Sequence, residues 1–207
     1  SEMCIRDSLY YAPQGWTSDD TDAAERVKIQ YGTSMCYPVS SMGSHVSVVP
    51  NHQLNRKTPL HTRANVAYFG TFGYELDLNK LSYEEISEVK QQIAFMKEYR
   101  ELIQFGTFYR LKSPFEGNET AWMTVSEDKK TALVFWYRER NVVNADFTRV
   151  RLQGLDPDFI YRNEYNGTEN YGDELMNLGL LTTDCTAGEP TSEDAPVSYT
   201  HLTLPTI

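Results

Sequence analysis

The hydrophobic pattern of this 207-residue chain changes its period near Gly106. Before that glycine, short apolar runs alternate with stretches of helical spacing, which is typical of βα units. From Thr107 onward apolar and polar residues alternate, and clusters of turn residues separate the runs. Because one period favours helices packed on strands and the other favours sheets, the sequence predicts an α/β part followed by an all-β part.

The strongest helix prediction lies in the first part, over residues 82–105. Ser82 and Glu85 have the spacing of a capping box, and Gly106 can take the left-handed conformation that ends a helix. Apolar residues recur at helical spacing, and we expect them to face the core: Ile86, Val89, Ile93, Met96, either Tyr99 or Leu102, and Ile103.

Shorter elements complete the pattern. In the first part they are a helix after Asp22, a strand within residues 36–46, a helix over residues 59–68 and a strand over residues 69–78. In the second part they are strands over residues 120–125, 131–137, 147–152 and 159–162. Val150 and Leu152 alternate with Arg149 and Arg151, so we expect antiparallel strands with one solvated face.

Composition excludes some classes of partner. The formal net charge of −10 argues against nucleic acid and against an anionic membrane surface. No apolar run approaches the length of about 18 residues that a membrane span needs. Cys36 and Cys185 lie far apart without ligand-like neighbours. We therefore expect neither a disulfide framework nor a metal site, no cofactor, and a cytoplasmic location.

One run combines an aromatic residue with several acids: YYAPQGWTSDDTDAAE, residues 10–25. It predicts the end of a strand, then a loop with three carboxylates, then a helix for which Asp22 is a candidate cap. Capping explains Asp22 but not Trp16, Asp19 or Asp20. An aromatic ring beside a carboxylate is a common arrangement for holding a sugar, since the ring packs on its apolar face while the acid exchanges a proton or binds a hydroxyl.

This run resembles the bacterial α-galactosidases of glycoside hydrolase family 36, at the loop that follows barrel strand six. Other segments are similar to the same family: KIQYGTS (28–34), SSMGSHVS (40–47), PNHQ (50–53), FGTFGYELD (69–77), SPFEGNE (113–119) and YGDELMN (171–177). The similarity extends from about Leu9 to Leu178, which is most of the chain.

The resemblance implies both a fold and a reaction. The fold is the last strands and helices of a (β/α)8 TIM barrel, strands six to eight, plus a C-terminal antiparallel β-sandwich. The reaction is the hydrolysis of terminal α-linked galactose from oligosaccharides such as melibiose or raffinose, with retention, by a homo-oligomeric enzyme. Asp19 matches the family's general acid/base, and we expect Trp16 to form part of the sugar-binding wall.

The same resemblance predicts that the chain is inactive by itself. Retaining glycosidases need two carboxyl groups about 5–5.5 Å apart. In the family, the nucleophile is an Asp on barrel strand four, and the run that holds the sugar 2-hydroxyl comes just before the opening motif. Both precede residue 9, so Asp19 is an acid/base without its nucleophile.

Two alternatives stay open at this level. A transferase of the same family, which moves galactose between sugars, would keep Asp19 and differ in its acceptor loops. A non-catalytic carbohydrate-binding module is favoured by the aromatic residues of the β-rich part, among them Trp122 and Trp136, although their place in alternating strands favours core packing. His45 and residues 51–52 are expected near the catalytic face, where a lone His is more often structural.

Both ends of the chain are predicted to be translated sequencing-adapter sequence. Residues 1–8 can be encoded by DNA containing AGATGTGTATAAGAGACAG, and residues 196–207 by DNA containing its reverse complement, CTGTCTCTTATACACATCT. These strings resemble a transposon-derived adapter, so neither segment enters the fold prediction. The remaining domains are predicted as residues 9–106 for the barrel part, residues 107–181 for the β-sandwich and residues 182–195 for a loop or truncated strand.

Overall fold

The chain divides into two compact units, Ser1–Gln104 and Phe105–Ile207. The computed structural model describes three stretches of it: residues 10–140, residues 148–182 and, in their backbone alone, residues 197–203. The predicted tail over residues 1–8 and nearly all of the predicted loop over residues 182–195 lie outside the described residues.

The first unit alternates strands and helices, and its last helix reaches the boundary with the second unit. Its helices are α1 (Ala23–Thr33), α2 (Leu60–Ala67) and α3 (Tyr83–Phe105). Its strands are β1 (Gly43–Ser47) and β2 (Thr71–Glu75). The two strands pair in parallel, from Gly43 opposite Thr71 to Ser47 opposite Glu75. This arrangement confirms the α/β prediction for the first part of the chain.

A third parallel strand is reduced to one residue. Gly15 forms an isolated parallel bridge to the residue that precedes β1. Its N–H donates to the Ser41 carbonyl oxygen at 2.8 Å, and its carbonyl oxygen accepts from the Gly43 N–H at 2.9 Å. The rest of the strand predicted before this loop does not form. Residues 10–11 are helical, and Pro13 has no N–H to donate to a neighbouring strand.

The strand predicted within residues 36–46 is shorter and later than expected. The strand is β1, and Val39–Ser41 before it form a turn of 3₁₀-helix. Pro38 explains the difference, because it lacks a backbone N–H and precedes this turn as its N-cap. The predictions over residues 59–68 and 69–78 are confirmed in their central parts by α2 and β2.

Helix α1 begins where the motif predicts. Asp22 is its N-cap, and the Asp22 side chain accepts hydrogen bonds from the Ala24 and Glu25 N–H groups. On the buried face of α1, the Gln30 amide nitrogen donates to the Val66 carbonyl oxygen of α2 at 2.8 Å. Because a buried amide needs partners, this bond fixes α1 against α2.

Helix α3 has the predicted capping box but a different buried face. The Ser82 N–H donates to the Glu85 carboxylate at 2.8 Å, and the Glu85 N–H donates to the Ser82 hydroxyl at 3.2 Å. Ile93 is 36% exposed, so its prediction as a core residue is wrong. Gln92 is buried instead and accepts a hydrogen bond from the Tyr74 hydroxyl at 2.8 Å. A hydrophobic period does not reveal a polar residue that finds its partner on β2.

The second unit is antiparallel. Its strands are β3 (Thr107–Lys112), β4 (Glu119–Val125), β5 (Ala132–Arg138), β6 (Arg149–Val150), β7 (Ile160–Arg162), β8 (Glu169–Tyr171), β9 (Leu180–Leu181) and β10 (Val197–Thr203). The main sheet has the order β10-β5-β4-β3, and β6 pairs with β9 and β7 with β8. A short helix, α4 (Gly172–Asn177), follows β8.

Both faces of β4 and β5 are buried. One face belongs to a hydrophobic core that includes Met123, Val134, Trp136, Leu152 and Tyr161. On the other face the Trp122 and Phe135 rings stack with their centroids 4.2 Å apart. The solvated face predicted from residues 149–152 is confirmed there, because buried and exposed residues alternate. It does not extend to β4 and β5.

Gly172 begins α4 in a place with no room for a side chain. A Cβ atom there would lie 1.9 Å from the Asp156 carbonyl oxygen, which cannot move without the backbone. We expect Gly172→Ala to lower the free energy of unfolding by about 1–3 kcal/mol, the usual cost of overpacking. Urea unfolding followed by circular dichroism measures it. Gly117→Ala is the matched control, since no atom lies within 4 Å of its added Cβ, and equal midpoints for the two variants would contradict the prediction.

Candidate functional site

Three loops leave the parallel strand segments on the same side. Residues 16–22 follow Gly15, residues 48–59 follow β1 and residues 76–82 follow β2. Because the strand segments run parallel, their carboxyl ends lie at one edge of the sheet. In α/β folds this edge is where ligand-binding loops meet. Both site residues predicted from the sequence, Trp16 and Asp19, lie in the first loop.

The Asp19 side chain is exposed. No described residue donates a hydrogen bond to its carboxylate or forms an ion pair with it. A general acid/base must gain and lose a proton in each turnover, so a carboxylate without a fixed cationic partner suits that role.

The three residues after Asp19 are held by hydrogen bonds. Asp20 accepts the Asp22 N–H at 2.9 Å. Asp22 is 2% exposed, and the carboxylate oxygen that caps α1 also accepts a hydrogen bond from the Arg56 guanidinium. The Thr21 hydroxyl accepts a hydrogen bond from the Asn51 amide nitrogen at 3.0 Å. The predicted cap role of Asp22 is confirmed, and the loop after β1 adds a cation to it.

The donors to these residues lie on the loop after β1. Asn51 is buried, and its side-chain oxygen accepts the N–H groups of Gln53 and Leu54, each at 2.9 Å. We assign the Gln53 amide with its nitrogen toward Asp20, because both Asp20 carboxylate oxygens lie there, at 3.2 and 3.3 Å. Side chains of this loop therefore reach each residue of the run from Asp20 to Asp22.

Arg26 of α1 ties the first loop to β1. Its buried guanidinium donates to the Gly43 carbonyl oxygen at 2.6 Å and to the Ser18 carbonyl oxygen at 3.4 Å. Burial lowers the pKa of Arg26, and the nearby Asp20 carboxylate opposes that shift. Because Ser18 directly precedes Asp19, this guanidinium fixes the backbone on the amino side of the candidate acid/base.

Trp16 stacks on His45. Their ring centroids are 4.6 Å apart with an interplanar angle of 27°, and Trp16 keeps 51% of its surface exposed. His45 lies in β1 opposite Gly73, where a Cβ atom would come within 2.7 Å of the imidazole Cδ2. Burial lowers the pKa of His45, the Glu75 carboxylate opposes this shift, and Arg26 adds to it. A neutral imidazole is therefore favoured beside the indole.

The two tryptophans of the β-rich part are buried. Trp122 and Trp136 are each 1% exposed, which confirms the expectation of core packing and leaves the binding-module alternative without its tryptophan platform. Within residues 10–140 and 148–182, no group of three His, Cys, Asp or Glu residues could hold a metal ion. In the same part of the chain, no helix is both long enough and apolar enough to cross a membrane.

Two arginines and one glutamine of this arrangement were not predicted from the sequence: Arg26, Gln53 and Arg56. Gln53 and Arg56 lie in a polar loop, and their partners are more than 30 positions away in the chain, so no local pattern could indicate them. Arg26 did carry a signal. It occupies the buried face of α1 next to Val27, and an arginine is rarely buried unless it is paired.

Known proteins match this chain over most of its length. The family model described as Melibiase matches residues 6–106, and the model described as glycosyl hydrolase family 36 C-terminal domain matches residues 119–194. The α-galactosidase AgaA of Geobacillus stearothermophilus is 57% identical over 172 residues, which are 83% of this chain and 24% of AgaA. The α-galactosidase Mel36A of Lactobacillus acidophilus is 51% identical over 171 residues, which are 83% of this chain and 23% of Mel36A.

Solved structures show the same likeness. The crystal structure of AgaA matches with a TM-score of 0.89 at 51% identity, over 97% of this chain and 27% of that one. The structure of an AgaA variant in complex with raffinose matches with a TM-score of 0.88 at 49% identity, over 97% of this chain and 27% of that one. The chain thus spans about a quarter of the length of the curated relatives. Since both family models and these relatives agree, the chain belongs to glycoside hydrolase family 36.

Proposed function

We propose that this chain is the segment of a retaining α-galactosidase that supplies the general acid/base, Asp19. One observation carries the proposal: Asp20 and Asp22 are held by hydrogen bonds, whereas Asp19 is exposed without a donor at the carboxyl edge of the parallel strands. The curated relatives named above are α-galactosidases, which supports the same reaction.

The proposed reaction has two steps. In the first, the Asp19 carboxylic acid donates its proton to the glycosidic oxygen while a nucleophilic carboxylate attacks the anomeric carbon and the bond to the leaving sugar breaks. In the second, the Asp19 carboxylate takes a proton from water, whose oxygen displaces the nucleophile with net retention. The nucleophile and the run that holds the sugar 2-hydroxyl belong to a part of the enzyme outside this chain, so the chain alone is inactive.

The proposed substrates are oligosaccharides with a terminal α-linked galactose, of the raffinose or melibiose type. The relative crystallised with raffinose supports this class. A transferase of the same family would use Asp19 in the same way, and an added acceptor sugar would then capture the galactose that a hydrolase releases to water. We also propose a homo-oligomeric parent enzyme, on the family resemblance, and a cytoplasmic location, on the cysteine usage.

Trp16 is proposed to form part of the sugar-binding wall. Half of its side chain is exposed, it precedes Asp19 in the same loop, and its ring is supported by the His45 imidazole. An exposed aromatic surface beside a carboxylate suits the apolar face of a galactose ring. Gly73 leaves room for the imidazole, because a Cβ atom there would come within 2.7 Å of it. The imidazole in turn supports the plane of the indole.

The adapter origin of residues 1–8 and 196–207 is also a proposal. Val197–Thr203 pair with β5, but an alternating segment can pair with an open strand edge whatever its origin. The coding DNA is expected to contain the two complementary strings given above, at opposite ends. Reading that DNA tests the proposal, and other codons at either end would contradict it.

A chimera tests the role of Asp19. Residues 10–182 of this chain would replace the matching segment of AgaA, which supplies the missing nucleophile. We expect Asp19→Asn to lower kcat on raffinose by about 10²–10⁴-fold, the usual contribution of a general acid/base, as measured by galactose release. Asp158→Asn, at an exposed position of the second unit, is the control. A loss of less than about tenfold for Asp19→Asn would sink the proposal.

The Trp16–His45 stack predicts a pH dependence of fluorescence. An imidazolium ion quenches a stacked indole, so the Trp16 emission of the chain should fall as His45 is protonated. Because burial lowers the pKa of His45, the midpoint is expected below 6.5. His45→Phe keeps a stacked ring without the titration and should abolish the transition. A midpoint at or above 6.5 would contradict the effect of burial on His45, and an unchanged transition in His45→Phe would contradict the stacked geometry.

A further inference from the structure

We propose that residues 51–56 are the element that positions the acid/base of the enzyme. We name this segment the clasp. Each of three clasp side chains holds one residue of the run that follows Asp19: Gln53 holds Asp20, Asn51 holds Thr21 and Arg56 holds Asp22. The inference rests on the proposed function of Asp19, and it concerns positioning residues rather than groups that touch the substrate.

The clasp is closed by its own backbone. The Asn51 N–H donates to the Arg56 carbonyl oxygen at 2.9 Å, and the Asn55 N–H donates to the Asn51 carbonyl oxygen at 2.8 Å. Asn55 has a φ of 53°, in the left-handed region that asparagine tolerates better than most residues. The Asn51 side-chain oxygen closes the turn from inside by accepting the Gln53 and Leu54 N–H groups. The three holding side chains therefore project from a backbone that is already ordered.

The contact between Arg56 and Asp22 is the charged part of the clasp. The Asp22 side chain is 1% exposed and that of Arg56 is 40% exposed. A buried carboxylate costs free energy unless donors satisfy it, and Arg56 adds a cation to the two N–H groups of α1. All three donors bind the Oδ2 oxygen, whereas Oδ1 is buried without a partner among the described residues. The position of Oδ2 therefore sets where the loop before Asp22 ends.

Asp19 lies between two fixed points. Arg26 holds the Ser18 carbonyl oxygen on its amino side, and the clasp holds Asp20 on its carboxyl side. The Asp19 backbone is thus constrained from both sides while its own carboxylate accepts no described hydrogen bond. Such an arrangement places a proton donor without changing its chemistry. A misplacement of about 1 Å can cost about 10²-fold in rate.

The test compares two leaving groups in the chimera with AgaA. Raffinose has a sugar leaving group that needs protonation, whereas nitrophenyl α-galactoside has one that needs little. We expect Gln53→Leu and Arg56→Met each to lower kcat/KM on raffinose by about tenfold or more, and on the nitrophenyl substrate by less than about threefold, because kcat/KM reports the first step and misplacement affects protonation of the leaving group in that step. Loss of folded enzyme would lower both rates by the same factor.

Two further variants complete the design. Lys57→Met removes the neighbouring exposed cation and should leave both rates unchanged, and Arg56→Lys keeps a cation and should recover part of the raffinose rate. Gln53 is exposed, so Gln53→Leu keeps the test valid if Arg56→Met does not fold. Equal losses on the two substrates, or no loss on either, would overturn the inference. Failure of the proposed function of Asp19 can be told apart from failure of the clasp inference, because Asp19→Asn would then leave the raffinose rate unchanged in the same chimera.

Discussion

The backbone bridge between Gly15 and the start of β1 decides where the functional loops of the first unit lie. It holds the first motif in line with β1, so the loop that carries Asp19 leaves the sheet at the same edge as the loop after β1. The approach leaves little room for a side chain, because a Cβ atom on Gly43 would lie 3.3 Å from the Gly15 carbonyl oxygen. A second tight approach lies beside β1, where a Cβ atom on Gly70 would lie 2.7 Å from the Ser44 Cβ. This pairing and the Arg26 contacts to Ser18 and Gly43 hold the first loop beside β1.

The acidic run illustrates how environment divides roles among identical groups. Asp22 is buried, and its Oδ2 oxygen is committed to the start of α1 and to Arg56. Asp20 receives a backbone N–H and the Gln53 amide, and it lies near the Arg26 guanidinium. Asp19 has no such partner among the described residues. Three carboxylates within four positions repel one another in solution, and committing two of them to donors leaves one for chemistry.

Elements with local signals were predicted well. The caps of α1 and α3 depend on residues within three positions, and both were predicted from Asp22 and from Ser82 with Glu85. Strands without a clear period were missed, among them β3, β8 and β9. The burial of both faces of β4 and β5 was also missed, because a sequence pattern shows which residues are apolar but not what covers them.

The sequence by itself determined the order of α/β and β parts, the start of α1 and, through a family resemblance, Asp19 as the candidate acid/base. The tertiary structure alone decided which acids are held, that Trp16 stacks on His45, and that the clasp meets the acidic run. The reason is distance along the chain: Asn51 and Thr21 are 30 positions apart, and Arg56 and Asp22 are 34. Local periods and caps report bonds within a few residues, whereas these bonds exist only once parallel strands bring two loops to one edge.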